Sequence, residues 1–405
     1  MKYLNLKNTF RNSLLWFVLL SSLWVSAVEL DQPFKQMQKT FLDQAREVVS
    51  RNKSAQLYLK EIVPEESLMM SVLYMPPEIE SKNLVILSAG THGAEGPLGS
   101  AALTLFLQEY GEKVDRSRTG FLLFHGVNPY GFDSGRRVDQ ENRDLNRNFV
   151  VTSDELEIEN SAYSKIEAIL NPKHKVKSIG WSYFKMLGQV FYQLTFGGMS
   201  INEFRQASVG GQYKYPKGIY YGGAEVSPSV VHFKEIILQH VKDYENILHM
   251  DFHTGLGESG QLHLILAAQL NTFERDKMSE VFDRTDGKFY EINTGESEGF
   301  YEVTGDITDF IRKLQGDSGQ NIYGVTAEFG TKGLGILNQL ESLHAIIQEN
   351  QGHHYGYANE GLETKVKRTF RELFNPSDPG WQKRVTENTR HLFGVSLPRW
   401  IELHK

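Results

Sequence analysis

"NLVILSAGTHGAEGPLGSAA", residues 83–102, sets how the rest of the chain is read. Its first six residues are an apolar run of strand length, and its end opens a helical stretch, "GSAALTLFLQEYG". Between them lies a glycine-rich turn carrying His92 and, three residues later, Glu95. A phosphate-cradling loop would use the glycines, but the charge on Glu95 would repel a phosphate. A histidine and a carboxylate at this spacing suit two ligands of a metal, and the pair calls for a third ligand elsewhere.

Five further stretches read as strands: "SLMMSVLYM", "GFLLFHGVN", "ENILHMDFHTG", "LHLILAA" and "IYGVTAEFGT". Several are apolar on both faces, as in a sheet covered by helices on each side. Helical stretches such as "SPSVVHFKEIILQHVKDY" fall between them. The alternation predicts an α/β fold, an open, mostly parallel twisted sheet with helices on both faces. Such sheets bind their ligands outside the carboxyl ends of the strands. There, with His92 and Glu95, stand His253 at the end of "NILHMDFHTG" and Glu328 near the end of "YGVTAEFGT". Two imidazoles and a carboxylate with an open fourth position form a common catalytic zinc arrangement. Zinc lowers the pKa of its water toward ~7. Glu328, a carboxylate outside that set, is the candidate to take the water's proton and pass it to a leaving amine.

"GVNPYGFDSGRRVDQENRDLNRNF", residues 126–149, follows another strand end and packs Arg136, Arg137, Arg143 and Arg147 among asparagines and acids. Planar guanidinium groups pair bidentately with carboxylates, so this loop can hold an anionic substrate group and polarise a carbonyl. A solvated polar loop has the same composition.

Together these motifs resemble the zinc carboxypeptidase family, with its aspartoacylase and succinylglutamate desuccinylase relatives, over residues 67–335. "THGAEG" is similar to the family's His-x-x-Glu zinc motif, "HGVNPYGF" to its Asn-Pro-x-Gly turn, and "DLNRNF" to its Asp-x-Asn-Arg-Asn-aromatic motif. "DFHTG" resembles the segment of the third ligand and "TAEFGT" the strand of the catalytic glutamate. The resemblance implies a carboxypeptidase-like (phosphorylase/hydrolase-like) fold and one zinc ion per chain, held by His92, Glu95 and His253. It makes Glu328 the general base and acid, with a zinc-bound water as nucleophile. Asn146 and Arg147 would bind the substrate's terminal carboxylate, and Arg137 would polarise the scissile carbonyl, with Arg136 as its rival. Asp144 would accept a hydrogen bond from the far nitrogen of His92. "FYEVTGDITDF" resembles the mobile tyrosine loop, with Tyr301 as its tyrosine, and Asp306 or Ile307 would line the side-chain pocket. His125, His249, His263, His353 and His354 match no motif and read as structural.

The implied activity is that of an exported zinc-dependent hydrolase cleaving an amide next to a free carboxylate, on a peptide or acyl-amino-acid substrate. An N-acyl-amino-acid amidohydrolase is the alternative, and a catalytically inactive peptide-binding protein a third reading. A helical C-terminus counts against the deacylase relatives, which usually carry a small β domain there.

The 405 residues, 40% of them hydrophobic, suffice for a large core. A net charge of −7 and the lack of a basic run beyond residue 11 exclude nucleic acid as a partner. Lys2, Lys7 and Arg11 precede the apolar "LLWFVLLSSLWV", which ends in Val25-Ser26-Ala27. That pattern predicts a cleaved signal peptide, residues 1–27, and a periplasmic or secreted protein with no membrane span after cleavage. Residues 28–66 are expected to form an N-terminal helical segment and 67–350 the catalytic domain, with an insertion over about 150–225. A helical extension is expected over 351–405.

Overall fold

The computed structural model describes residues 30–266, 270–282, 290–293, 305–316 and 318–405. Its strands are β1 (Gln56–Val63), β2 (Leu68–Met75), β3 (Asn83–Ala89), β4 (Thr119–His125), β5 (Asn246–Gly255), β6 (Leu262–Leu266), β7 (Tyr290–Asn293) and β8 (Asn321–Gly330). They form one mixed sheet in the order β1-β2-β4-β3-β5-β8-β6-β7. The four central strands, β4, β3, β5 and β8, run parallel. β1 and β2 join antiparallel on one side, and β6 pairs antiparallel with β8 on the other.

β3 and β4 are buried at every position and β5 at all but its last, as their unbroken apolar runs require. Helix Gly96–Leu105 covers one face: a Cβ added at Gly99 would meet that of Ala89 at 2.7 Å and that of Phe252 at 3.3 Å. Helix Pro228–His240 covers the opposite face, where Phe233 packs beside His249 at 5.9 Å. His249 and Phe252, three apart on one strand, point to opposite sides. From β3 the chain passes to β4 on one side, and later returns to β5 on the other. A crevice therefore opens outside the carboxyl ends of β3 and β5, the switch point where α/β sheets hold ligands.

Three features differ from the sequence-based expectation. Among the described residues of the segment 28–66, the α-helix covers Phe34–Arg51 only; the chain then enters the sheet as β1, a half-exposed edge strand joined to β2 by the short 3-10 turn Pro64–Glu66. The boundary at residue 350 falls inside the helix Ile336–Tyr355. The C-terminal helices belong to the same core: Trp381 and Trp400 are fully buried, and Asn83 Nδ2 donates to His404 O at 3.1 Å. The insertion holds three helices, Ser161–Leu170, Ile179–Thr195 and Ile201–Val209, packed with Ile336–Tyr355 around a second, smaller apolar cluster. No helix among the described residues is long and apolar enough to cross a membrane.

Trp381 ties the C-terminal helices to the end of β8, since its indole Nε1 donates to Gly330 O at 2.8 Å. Trp381→Ala should therefore cost about 3–5 kcal/mol of stability. In urea unfolding the midpoint should fall while the slope holds. A midpoint within error of the parent would show the extension to be dispensable.

Candidate metal centre and active site

His92 and Glu95 lie on the turn after β3, and the tightness of that turn explains its glycines. A Cβ at Gly93 would stand 1.9 Å from the carbonyl carbon of Gly131, so the two loops meet backbone to backbone. The Gly93 N–H donates to Arg137 O at 3.1 Å. Asn128 braces the contact, accepting from Gly131 N at 2.9 Å and donating to Arg137 O at 3.3 Å. The His-x-x-Glu turn and the Asn-Pro-x-Gly turn are thus one unit.

His253 lies near the end of β5 in register with Glu328 on β8, so their side chains emerge side by side on one face. His92 Nδ1 lies 2.9 Å from Glu95 Oε1, and His253 Nδ1 lies 2.9 Å from Glu95 Oε2. The Thr254 N–H donates to the same Oε2 at 3.0 Å. All three side chains are buried, with one ligand atom of each within 4.8 Å of the others. Each histidine turns its Nδ1 to the shared carboxylate and its Nε2 to an acid behind it. His92 Nε2 is 3.1 Å from Asp144 Oδ1, as the resemblance implies, and His253 Nε2 is 2.5 Å from Asp251 Oδ2.

The charges fit a divalent cation. Glu95, Asp144, Asp251 and Glu328 are all buried, against the guanidinium groups of Arg137 and Arg147. With Glu328 ionised and His253 neutral, the four acids would exceed the two guanidinium groups by two charges, a costly surplus in a dry site that a dication between the ligands would balance. Burial works against ionisation of Glu95, yet the neighbouring His92 and His253 hold its carboxyl well below the usual carboxylate range. Burial likewise opposes charge on His253, but Asp251 and Glu95 keep it well above the ordinary histidine range. A cation held there would have to displace the proton favoured on His253. Burial, reinforced by the charge on Glu95, pushes Glu328 up to about 8. The Leu256 N–H donates to its Oε1 at 2.7 Å and fixes its orientation.

Arg137 stands in the site: its Nε donates to Asp144 Oδ2 at 2.9 Å, and one terminal nitrogen lies 3.3 Å from Glu95 Oε1. Arg136 turns away, pairing with Glu349 at 2.8 Å and donating to Asn142 and Asn350. Arg147 is 1% exposed and donates through Nε and Nη2 to Val209 O and through Nη1 to Asn146 O. These bonds use three of its five N–H groups. Asn146 donates to Asp306 Oδ2 at 3.1 Å and accepts from Ile307 N at 3.0 Å. Asp306 lines the cleft as the N-cap of helix Ile307–Gln315, whereas Ile307 is buried in the main core. The cleft, 1080 Å³ in volume, brings the three ligands together with Arg137, Asn146, Arg147 and Glu328. Tyr301 lies outside the described residues.

Two residues escaped the sequence reading. Asp251 sits two positions before His253, hence on the same face of β5, and accepts from Ser88 Oγ at 2.6 Å and Thr91 Oγ1 at 3.2 Å. His249 continues this row, 2.8 Å from Ser88 Oγ. Tyr220, from the insertion, holds its ring 5.4 Å from the Arg137 guanidinium and 5.7 Å from that of Arg147. The i, i+2 pair in "DFH" was a usable signal for Asp251; nothing in "GIYYGG" singles out Tyr220, whose φ of 56° is unusual for its residue type.

Fold and site together define an α/β protein with a buried His–Glu–His group able to hold a metal. The chain belongs to the family described as "Protein of unknown function (DUF2817)", which matches residues 31–388. No curated protein matches it. Similar solved structures include thrombin activatable fibrinolysis inhibitor, 14% identical with a TM-score of 0.47, over 86% of this chain and 77% of that one. Carboxypeptidase A from Helicoverpa armigera is 12% identical with a TM-score of 0.44, over 89% and 80%. A metallo-carboxypeptidase from Burkholderia cenocepacia is 14% identical with a TM-score of 0.40, over 78% and 68%.

Asp251 supports His253 as Asp144 supports His92, so its removal should weaken the metal without removing a ligand. Asp251→Asn should lower metal affinity by ~10- to 100-fold in chelator competition, with the fold intact by circular dichroism. An unchanged affinity would mean that Asp251 does not position His253.

Proposed function

We propose that this protein is an exported, zinc-dependent carboxypeptidase-like hydrolase that cleaves an amide bond next to a free carboxylate. The observation that carries the reading is Glu328, a buried carboxylate in register with the ligand His253 but outside the ligand set. His92, Glu95 and His253 would hold a zinc ion, which when bound would lower the pKa of a water at neutral pH. Glu328 takes a proton from the attacking water and returns it to the leaving nitrogen as the C–N bond breaks. A carboxyl that burial has shifted upward, and that a nearby cation draws back down, is suited to both halves of that transfer. Arg137 faces the substrate carbonyl and stabilises the oxyanion.

Arg147 and Asn146 anchor the substrate's carboxylate. The insertion prepares Arg147 for this: Val209 O and the Tyr220 ring hold its guanidinium in place, and two of its N–H groups have no partner among the described residues. The described C-terminal residues are helical, the arrangement that the peptidase reading expects. Export is carried by the basic and apolar pattern of residues 1–27, and the first residue of the protein recovered from cells tests it.

Glu328→Gln keeps the shape of the side chain but cannot accept the proton. Turnover should fall by ~10² or more while the metal content stays normal. Loss of metal along with activity would show that Glu328 is a ligand. For Arg147, converting the substrate's carboxylate to an amide should lower kcat/KM by ~10- to 150-fold, the weight of a charge-assisted contact. Arg147→Ala should reduce cleavage of the acid comparably and leave cleavage of the amide nearly unchanged. Equal cleavage of acid and amide by the parent protein would refute carboxylate anchoring.

A further inference from the structure

Helix Ile179–Thr195 of the insertion has two apolar sides. Its inner side, with Met186 and Val190, packs into the second core cluster. Its outer side carries Trp181, Phe184, Phe191 and Tyr192, which are 73%, 69%, 63% and 59% exposed, and Phe196 follows at 75%. At 3.6 residues per turn the four helical rings fall within an arc of about 100°, so they form one face. Gly188 lies in the middle of it, with open space around it. Apolar faces of this kind on a folded protein mark contact sites.

The sequence around this helix carries charge of one sign, although Glu167 and Glu341 come near it from neighbouring helices. From residue 172 to 202 there is no Asp or Glu, but Lys173, Lys175, Lys177 and Lys185 are present, in a chain whose net charge is −7. All four are exposed; Lys173 pairs with Glu167 at 3.2 Å. We propose that this helix face is a docking surface for an anionic phospholipid bilayer. The rings lie at the boundary of headgroups and acyl chains, and the lysines meet the lipid phosphates. Trp and Tyr favour that boundary, and each lysine near an anionic membrane adds to the attraction. A second copy of the chain is the poorer occupant, because a two-fold contact would set these lysines against their own kind. The helix lies on the membrane and does not span it. The next helix, Ile201–Val209, lines the cleft and supplies the carbonyl that holds Arg147, so docking would set the cleft beside the bilayer.

The chain has no cysteine, which allows a single reporter. Gly188→Cys in the full chain, labelled with nitrobenzoxadiazole, is mixed with vesicles of phosphatidylcholine with or without phosphatidylglycerol. With the anionic vesicles its emission should shift to the blue and be quenched by brominated acyl chains, while the same label at Ser54→Cys, on an exposed turn, should not respond. Neutral vesicles should give a weaker response. Adding Trp181→Ser, Phe184→Ser and Phe191→Ser should weaken binding at least ~10-fold. Lys175→Glu with Lys177→Glu should do the same. The apolar run before residue 28 is common to all variants, and the position of the label separates its contribution. A label at 188 that stays in water overturns the proposal, as does a response that survives the aromatic substitutions. A blue shift that grows with protein concentration without lipid also overturns it, and assigns the face to a second copy.

Discussion

Glu95 shares its two oxygens between histidines from different parts of the chain, and the rest of the site is arranged around that sharing. A buried carboxylate between two imidazoles is stable only if positive charge accompanies it. A proton on His253 provides it in part, and a dication would provide it without that proton. The Gly93–Gly131 contact, the strand ends and the two acids behind the histidines all serve to hold this geometry. A bulkier residue at 93 would move His92 and Glu95 together.

The insertion has a role in the site as well as beside it. Without Val209 O and Tyr220, Arg147 would be a long side chain searching many rotamers, and fixing it on binding would cost affinity. The same segment turns an aromatic face outward. One stretch of chain thus both lines the cleft and presents the exposed aromatic face.

Much of this was legible beforehand. Six strands were read from their apolar runs, because burial on both faces leaves little else in the sequence. His92, Glu95, His253 and Glu328 were read from their place at strand ends, and the structure brings them together. β1 was missed because an edge strand is half exposed, and "QLYLKEIV" carries too mixed a pattern to separate from the helix before it. The core role of Trp381 and Trp400 was missed because amphipathic helices look alike whether they cap a sheet or extend from it. Arg136 and Arg137 were indistinguishable as neighbours in sequence; only the contact with Glu349 separates them. Tyr220 could not be found, since its place depends on a long excursion of the chain that no local pattern encodes.

The central claim is that the Nδ1 atoms of His92 and His253 and the carboxylate of Glu95 hold one metal ion. Diffraction from crystals of the purified protein, recorded on both sides of the zinc absorption edge, tests it directly. The account expects one strong anomalous peak per chain at bonding distance from those three side chains, about 2.0–2.2 Å, with Asp144 and Asp251 behind the imidazoles. A peak on the Nε2 side of the histidines, or no peak in a crystal with this side-chain geometry intact, would contradict it.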